Sequence, residues 1–265
     1  MLTLQWAKAI FAAGAVVLLS SAAEAATCGN TGAGFATWKP VFAAEAKAQG
    51  VGARGIAALM GTSYSNGTIA VDRNQHFFHM SLGEFMAKRG AAGIVAIGRG
   101  KKAADAALFS AIERRFGVPP GPLIAIWGME TGFGGNTGRQ NTISAVATLA
   151  YDCRRTEYFT DHLYAALKLI DRGVLSAATT GAMHGEVGQT QFLPKNILLY
   201  GADGDGNGSI NLNSKADALA STASFLKGQG WSGSGPYRAG SFATWNAATV
   251  YEQALAIIAS KIDGR

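Results

Sequence analysis

Residues 126–138 read IWGMETGFGGNTG. They set one carboxylate, Glu130, between Trp127 and Phe133, in an apolar stretch punctuated by glycines and without a cation close by in sequence. Just upstream, GVPPGP brings Pro122 to a helix start, where a missing N–H costs little. From there Leu123, Ile126, Trp127 and Glu130 recur at i, i+3, i+4 and i+7, which predicts one apolar helical face ended by Gly132 and Gly134. On that face Glu130 is expected to be buried. Burial and the negative end of the helix dipole both disfavour its ionised form. A carboxylic acid still protonated near neutral pH is what general acid catalysis requires. The competing reading is ordinary: a glutamate beside glycines at a helix end is commonly a solvated one.

Outward from this stretch the apolar spacing stays helical. KKAADAALFSAIERRFG, residues 101–117, puts Ala104, Ala107, Leu108, Ala111 and Ile112 on one face. DHLYAALKLIDRG, residues 161–173, does the same with Leu163, Ala166, Leu167 and Ile170, and TVYEQALAIIASKI, residues 249–262, with Val250, Ala254, Ile257 and Ile258. Strand alternation is absent, with room for short hairpins only in residues 61–80. Many of the 35 glycines sit where helices should end. The pattern predicts a mainly α single domain of short helices, with no internal repeat and no linker.

The chain has 265 residues, of which 48% are hydrophobic and 15% charged, enough for a full core. Residues 1–25 read as a signal peptide: Lys8, an apolar run from Ile10 to Leu19, and Ala23-Glu24-Ala25 as a cleavage signal. The run is too short to span a membrane, and no later segment is longer. Removing Lys8 with Glu24 leaves the formal net charge at +6. The basic residues fall in scattered pairs, such as Lys101-Lys102 and Arg154-Arg155, which argues against a nucleic-acid footprint and favours an anionic polymer such as cell-wall material. Two cysteines, Cys28 and Cys153, permit one disulfide in an oxidising compartment. Acylation of Cys28 is the rival, poorly served by Thr27 and Ala25.

Other chemistries fail on spacing. The glycine cluster lacks GK[ST] and follows a helix, so it is no phosphate loop. There is no GxSxG, and His76 and His79 lack the HExxH of zinc proteases. DGDGNGSINLNSKAD, residues 203–217, opens like an EF-hand: Asp203, Asp205 and Asn207 stand at positions 1, 3 and 5, Gly208 at 6, and Ser209 offers its carbonyl at 7. Position 12 is Ser214 rather than Glu. Asp217 is the candidate last ligand of an extended loop, or else a capping partner of Ser214 in S-x-x-D.

IWGMETGFG, ATLAYDCRR, GQTQFLP and ADGDGNGSINL, in this order, resemble the motifs of the B-type lytic murein transglycosylases. VDRNQHFF before them and WNAATVY after them fit the same family. The resemblance implies a mainly α, lysozyme-like catalytic domain over residues 26–265 with an EF-hand-like metal loop at 203–217. It implies cleavage of the MurNAc–GlcNAc bond of peptidoglycan, with Glu130 as the acid. Gln191, Asn246 and Tyr251 match positions expected to contact N-acetyl or C6 groups. A serine often seen upstream of the glutamine is Ala182 here. Phe133 and Tyr151 are the aromatic candidates for sugar contacts, although most such aromatics are core. Asp217 would complete a structural calcium site, with sodium as the alternative ion and no organic cofactor.

A transglycosylase needs one carboxylate, because the substrate acetamide attacks C1 and O6 then closes a 1,6-anhydro ring. A hydrolase of the same bond needs a second, for which Glu186 and Asp152 are the candidates. A calcium-stabilised wall-binding protein without activity is the non-enzyme alternative. The expectation is a periplasmic monomer acting on peptidoglycan glycan strands, with no nucleic acid and no membrane span.

Overall fold

A computed structural model describes residues 26–74, 80–232 and 236–265. The proposed leader, residues 1–25, and the His76–His79 stretch lie outside the described residues. Among the described residues there are twelve α-helices and one two-stranded sheet, so the mainly α expectation holds. The helices are α1 (Phe35–Ala48), α2 (Ala53–Met60), α3 (Asn66–Arg73), α4 (Leu82–Lys88), α5 (Ala91–Ala104), α6 (Ala106–Phe116) and α7 (Pro120–Thr131). After these come α8 (Thr142–Tyr151), α9 (Thr156–Asp171), α10 (Pro194–Tyr200), α11 (Lys215–Gly228) and α12 (Thr249–Asp263).

The helix that carries Glu130 is α7, and it lies in the centre. Every residue from Gly121 to Met129 is buried, on all faces. The single apolar face predicted from Leu123, Ile126, Trp127 and Glu130 is therefore too narrow a reading. A helix apolar all round is a core helix, and α7 packs against α12 and α5, with α6 and α11 behind. Pro120 at the first turn starts it, and Gly132, at φ 59°, ends it in the left-handed conformation that glycine adopts without a Cβ penalty.

The helix expected over residues 101–116 is split. Asp105, at φ −108° and ψ 28°, ends α5 and begins α6, and its carboxylate pairs with Lys215 Nζ at 2.5 Å. The buried face of α6 is Phe109 and Ile112, whereas Ala104 and Ala107 are exposed. Splitting a helix shifts its phase, so the predicted stripe does not carry across. In α9 the predicted face of Leu163, Ala166, Leu167 and Ile170 is buried as expected. In α12 the buried face turns toward Tyr251, Ala254, Leu255 and Ile258, leaving Val250 and Ile257 half-buried.

Residues 66–73 form α3 rather than a hairpin. The sheet joins β1 (Gln140–Asn141) to β2 (Thr180–Gly181), antiparallel, with Gln140 opposite Gly181. Cys28 and Cys153 form the disulfide, 125 residues apart in sequence. The same junction is laced by Gly29 N–H to Tyr151 O at 2.9 Å and Cys153 N–H to Gly29 O at 3.2 Å, which pins the N-terminal segment beside the end of α8. None of the described helices is long and apolar enough to cross a membrane.

Candidate active site

Glu130 closes the last turn of α7, where the core opens into a cleft of about 320 Å³. Glu130, Glu186, Gln191, Asn246, Tyr158 and Trp245 are among the residues lining it. One carboxylate oxygen, Oε1, accepts two hydrogen bonds: from Tyr251 Oη at 2.6 Å and from Trp245 Nε1 at 2.9 Å. Tyr251 is buried on α12 and Trp245 lies on the segment leading into that helix, so the C-terminal part of the chain holds the acid from the opposite side. Arg89, just after α4, donates from Nη2 to Met129 O at 2.6 Å and brings a positive charge to the neighbourhood.

The carboxyl of Glu130 is pushed above the usual carboxylate range. Desolvation is the main cause, and the charge of Glu186 adds to it; the Tyr251 and Trp245 hydrogen bonds and the Arg89 charge pull the other way and lose. The side chain keeps some accessible surface toward the cleft while its surroundings exclude water, as an acid that must reach substrate requires. Tyr251 is raised too, first by its own burial and then by the carboxylate it faces, so it remains a hydrogen-bond donor.

Glu186 is the contrast. Desolvation would raise its carboxyl, but hydrogen bonds from His184 and that ring's charge outweigh it, and Glu186 is held below the ordinary range. Its Oε2 accepts from His184 N–H at 3.0 Å and its Oε1 faces His184 Nδ1 at 3.2 Å. Two carboxyl groups in one cleft, with environments pushing them apart, is the arrangement of an acid beside a permanent anion.

The backbone between residues 181 and 192 presents both Glu186 and Gln191. Ala182 N–H bonds Glu186 O at 2.9 Å, and Val187 and Phe192 exchange hydrogen bonds at 2.8 and 3.0 Å. Only a glycine fits at 181, because a Cβ there would fall 1.8 Å from Glu186 O. Gln191 turns the second loop with φ 57°, an unusual conformation for a side-chain residue and one that clusters at functional sites. Its Nε2 donates to Gly188 O at 2.9 Å and Thr137 O at 3.3 Å, so the amide is oriented before any ligand arrives.

Several expected positions move. Tyr151 does not line the cleft: it is buried among Phe35, Trp38 and Tyr64, its hydroxyl against Gly29 and Gly34, so it is a core residue. Phe133 packs edge-on against Trp127 with Lys101 Nζ 5.3 Å from its ring, and is not part of the cleft lining either. Asp152 is excluded as a second carboxylate, being buried in an ion pair with Arg73 at 2.7 Å and accepting from Arg154 N–H at 3.0 Å. Ala182 is half-buried and serves through its backbone. Trp245, Tyr158 and Asn196 are cleft residues that periodicity does not reveal, although Trp245 lies inside WNAATVY.

The acidic loop folds around its own carboxylates. Asp203 Oδ1 accepts from Gly206 N–H at 2.6 Å and Oδ2 from Gly208 N–H at 2.8 Å, while Asn207 Oδ1 accepts from Ser209 N–H at 2.9 Å. Asp217 is fully buried and accepts from Gly204 N–H and Asn211 N–H, both at 2.8 Å. Ser214 makes no capping bond, so the S-x-x-D capping reading fails and Asp217 faces the loop instead. Carboxylate oxygens of Asp203, Asp205 and Asp217 lie within 4.8 Å of one another, a grouping able to hold a cation. The loop is tied to the catalytic helix through Gln189, whose Oε1 accepts from Trp127 Nε1 at 2.8 Å and whose Nε2 donates to Asn213 O at 2.6 Å.

The transglycosylase SLT domain profile matches residues 34–240. The chain belongs to the transglycosylase SLT domain family. Membrane-bound lytic murein transglycosylase B of Escherichia coli (strain K12) is 36% identical over 118 residues, which are 44% of this chain and 33% of that protein. SltB3 from Pseudomonas aeruginosa, solved in complex with NAG-anhNAM-pentapeptide, is 34% identical with a TM-score of 0.71, over 77% of this chain and 55% of that one. The Escherichia coli lytic transglycosylase Slt35, solved in complex with calcium, shares the fold with a TM-score of 0.76 at 18% identity, over 90% of this chain and 96% of that one. The SLT domain chain thus spans a third of its Escherichia coli relative and 55% of that SltB3 chain.

Proposed function

We propose that the chain is a lytic transglycosylase that cleaves the β-1,4 bond between MurNAc and GlcNAc of peptidoglycan and leaves 1,6-anhydroMurNAc ends. The observation that carries this reading is Glu130 itself: a desolvated carboxyl, gripped by Tyr251 and Trp245, opening into a cleft. SltB3, solved with a NAG-anhNAM-pentapeptide, supports the substrate class. Glu130 protonates the leaving O4 of GlcNAc while the MurNAc acetamide oxygen attacks C1. The resulting glutamate then removes the O6 proton as O6 displaces the acetamide. Gln191 and Asn246 line the cleft and are assigned to the polar groups of the strand.

Glu186 in the same cleft favours a second reading, a hydrolase in which that carboxylate activates water. Mass spectrometry of a peptidoglycan digest separates the two. The expected product carries anhydro ends, about 18 mass units below the hydrolysed form by loss of one water. Reducing MurNAc ends as the main product would establish the hydrolase.

The disulfide and the apolar run with its cleavage signal support a periplasmic site of action for a mature chain beginning near Ala26. The loop at 203–217 is assigned a structural calcium ion, held by Asp203, Asp205, Asn207, Ser209 and Asp217, with sodium as a substitute. Slt35, of the same fold, was solved with calcium. Three converging carboxylates repel one another without a cation, so added calcium should stabilise chelator-stripped protein by RT ln(1 + [L]/Kd), about 2.7 kcal/mol at 100 times Kd, and raise its melting temperature accordingly. Asp205→Ala should abolish the rise. Identical melting curves with EDTA and with calcium would reduce the loop to a turn.

A further inference from the structure

Beneath the cleft, three side chains line up: Asp72, His184 and Glu186. Asp72, on α3, is buried, and its Oδ1 stands 3.7 Å from His184 Nε2. Arg154 pairs with the same aspartate, and Arg155 Nη1 lies 3.4 Å from its Oδ1. The other ring nitrogen, His184 Nδ1, is 3.2 Å from Glu186 Oε1, and the His184 backbone N–H takes Oε2 at 3.0 Å. Nε2 makes no hydrogen bond, so the Asp72 carboxylate acts on the ring only as a nearby charge, while Nδ1 and the backbone N–H of His184 face the two oxygens of Glu186. Both oxygens of Glu186 are thereby held, and the group faces the cleft beside Glu130. Three helix-to-loop segments thus converge to fix one anion, far more structure than a solvated loop residue would need.

We propose that Glu186 is a second catalytic residue, the carboxylate that accepts the acetamide N–H of the MurNAc unit and balances the positive charge of its cyclised form, with His184 and Asp72 as positioning residues. This rests on the transglycosylase reading above and deepens it. In the first step the acetamide oxygen lone pair forms a bond to C1, and the C1–O4 bond breaks toward O4, which takes the proton of Glu130. The ring so formed is an oxazolinium whose positive charge sits on the C=N–H unit, and Glu186 is the anion placed against it. In the second step O6 attacks C1, the C1–acetamide bond breaks back toward the amide, and the O6 proton returns to Glu130. Glu186 changes neither protonation nor bonding. It contributes only charge and orientation, which is the kind of preorganised term that is large in a water-poor site.

A hydrolytic base would have to take a proton, and a group pinned on both oxygens by His184 is poorly placed for that. A hydrogen-bonded anion is what orienting an amide N–H asks for. Glu186→Gln keeps the volume and removes the charge, so kcat on purified muropeptide oligomers should fall about 100-fold, the lower end for losing one preorganised charge-stabilising group. KM should stay close to the wild-type value, because the charge it balances is absent from the ground state. A GlcNAc-derived thiazoline, which mimics the cyclised acetamide, is the probe that isolates the claim: its affinity should fall by the same order in Glu186→Gln, while binding of a plain GlcNAc oligomer is unchanged.

For the positioning residues, His184→Ala should lower kcat about 10-fold with KM unmoved, and His184→Asn, whose amide can replace Nδ1, should restore most of it. Melting curves matching the wild type establish that these variants fold. Thiazoline affinity undiminished in folded Glu186→Gln would overturn the inference. A wild-type digest dominated by reducing ends would instead overturn the transglycosylase reading on which it rests.

Discussion

Glu130→Gln is expected to lose at least ~100-fold in the release of soluble muropeptides from purified sacculi, the lower bound for removing a general acid. The amide keeps the size of the side chain and its Oε1 can still accept from Tyr251 and Trp245, but it has no proton to deliver. Stability should move the other way. The folded protein holds the Glu130 proton more tightly than the unfolded chain does, because desolvation raises this carboxyl. The stability that proton brings is fully present below the ordinary carboxylate range and is lost as pH rises through the raised value. At neutral pH the neutral amide therefore relieves a cost, and the variant should melt no lower than the wild type, with the advantage shrinking in acid. Near-normal turnover in Glu130→Gln would remove the residue from the mechanism.

Breaking the Cys28–Cys153 bridge should have the largest effect on stability. The bond closes a loop of 125 residues, and chain entropy assigns such a loop about 5 kcal/mol. For a domain of this size that corresponds to roughly 10–20 °C in melting temperature. The measurement is thermal unfolding of Cys153→Ser beside the oxidised wild type, both beginning at Ala26. Activity well below the transition should persist, since the bridge sits beside the end of α8 and not in the cleft. A shift within the scatter of replicate melts would show that the Gly29–Tyr151–Cys153 hydrogen bonds already hold the junction without the covalent tie.

What could be read from the residues was whatever is local or admits one solution. Two cysteines allow one pairing, and an alternating Asp-Gly run declares its loop. Glu130 could be singled out because a lone carboxylate in an apolar, glycine-bounded helix is rare enough to need a reason. What could not be read depends on partners distant in sequence. The carboxyl has no cation near it along the chain, yet Arg89 reaches its helix end from 40 residues upstream. Tyr251 was visible as a member of WNAATVY, but that its hydroxyl grips Glu130 itself follows only from the packing of α12 on α7. Aromatic identity misled in the other direction: Tyr151 and Phe133 look like sugar platforms, and the core claims Tyr151 while Trp127 and Lys101 claim Phe133. Helical phase failed where Asp105 breaks the run, since periodicity assumes an unbroken axis.

The burial of α7 on every side has a consequence for how such a protein can diverge. Glu130 ends a helix whose neighbouring side chains are hemmed in by four other helices, so a change of volume along it costs packing. The loops at 181–192 and 244–246 share that constraint: Val187 and Phe192 are buried, a Cβ at 181 or 188 would strike backbone, and Trp245 packs edge-on against Phe192 and Phe225. The cleft can therefore be reshaped at little cost to the fold only through side chains that the core does not use, such as the exposed Tyr158 and the half-buried Asn196.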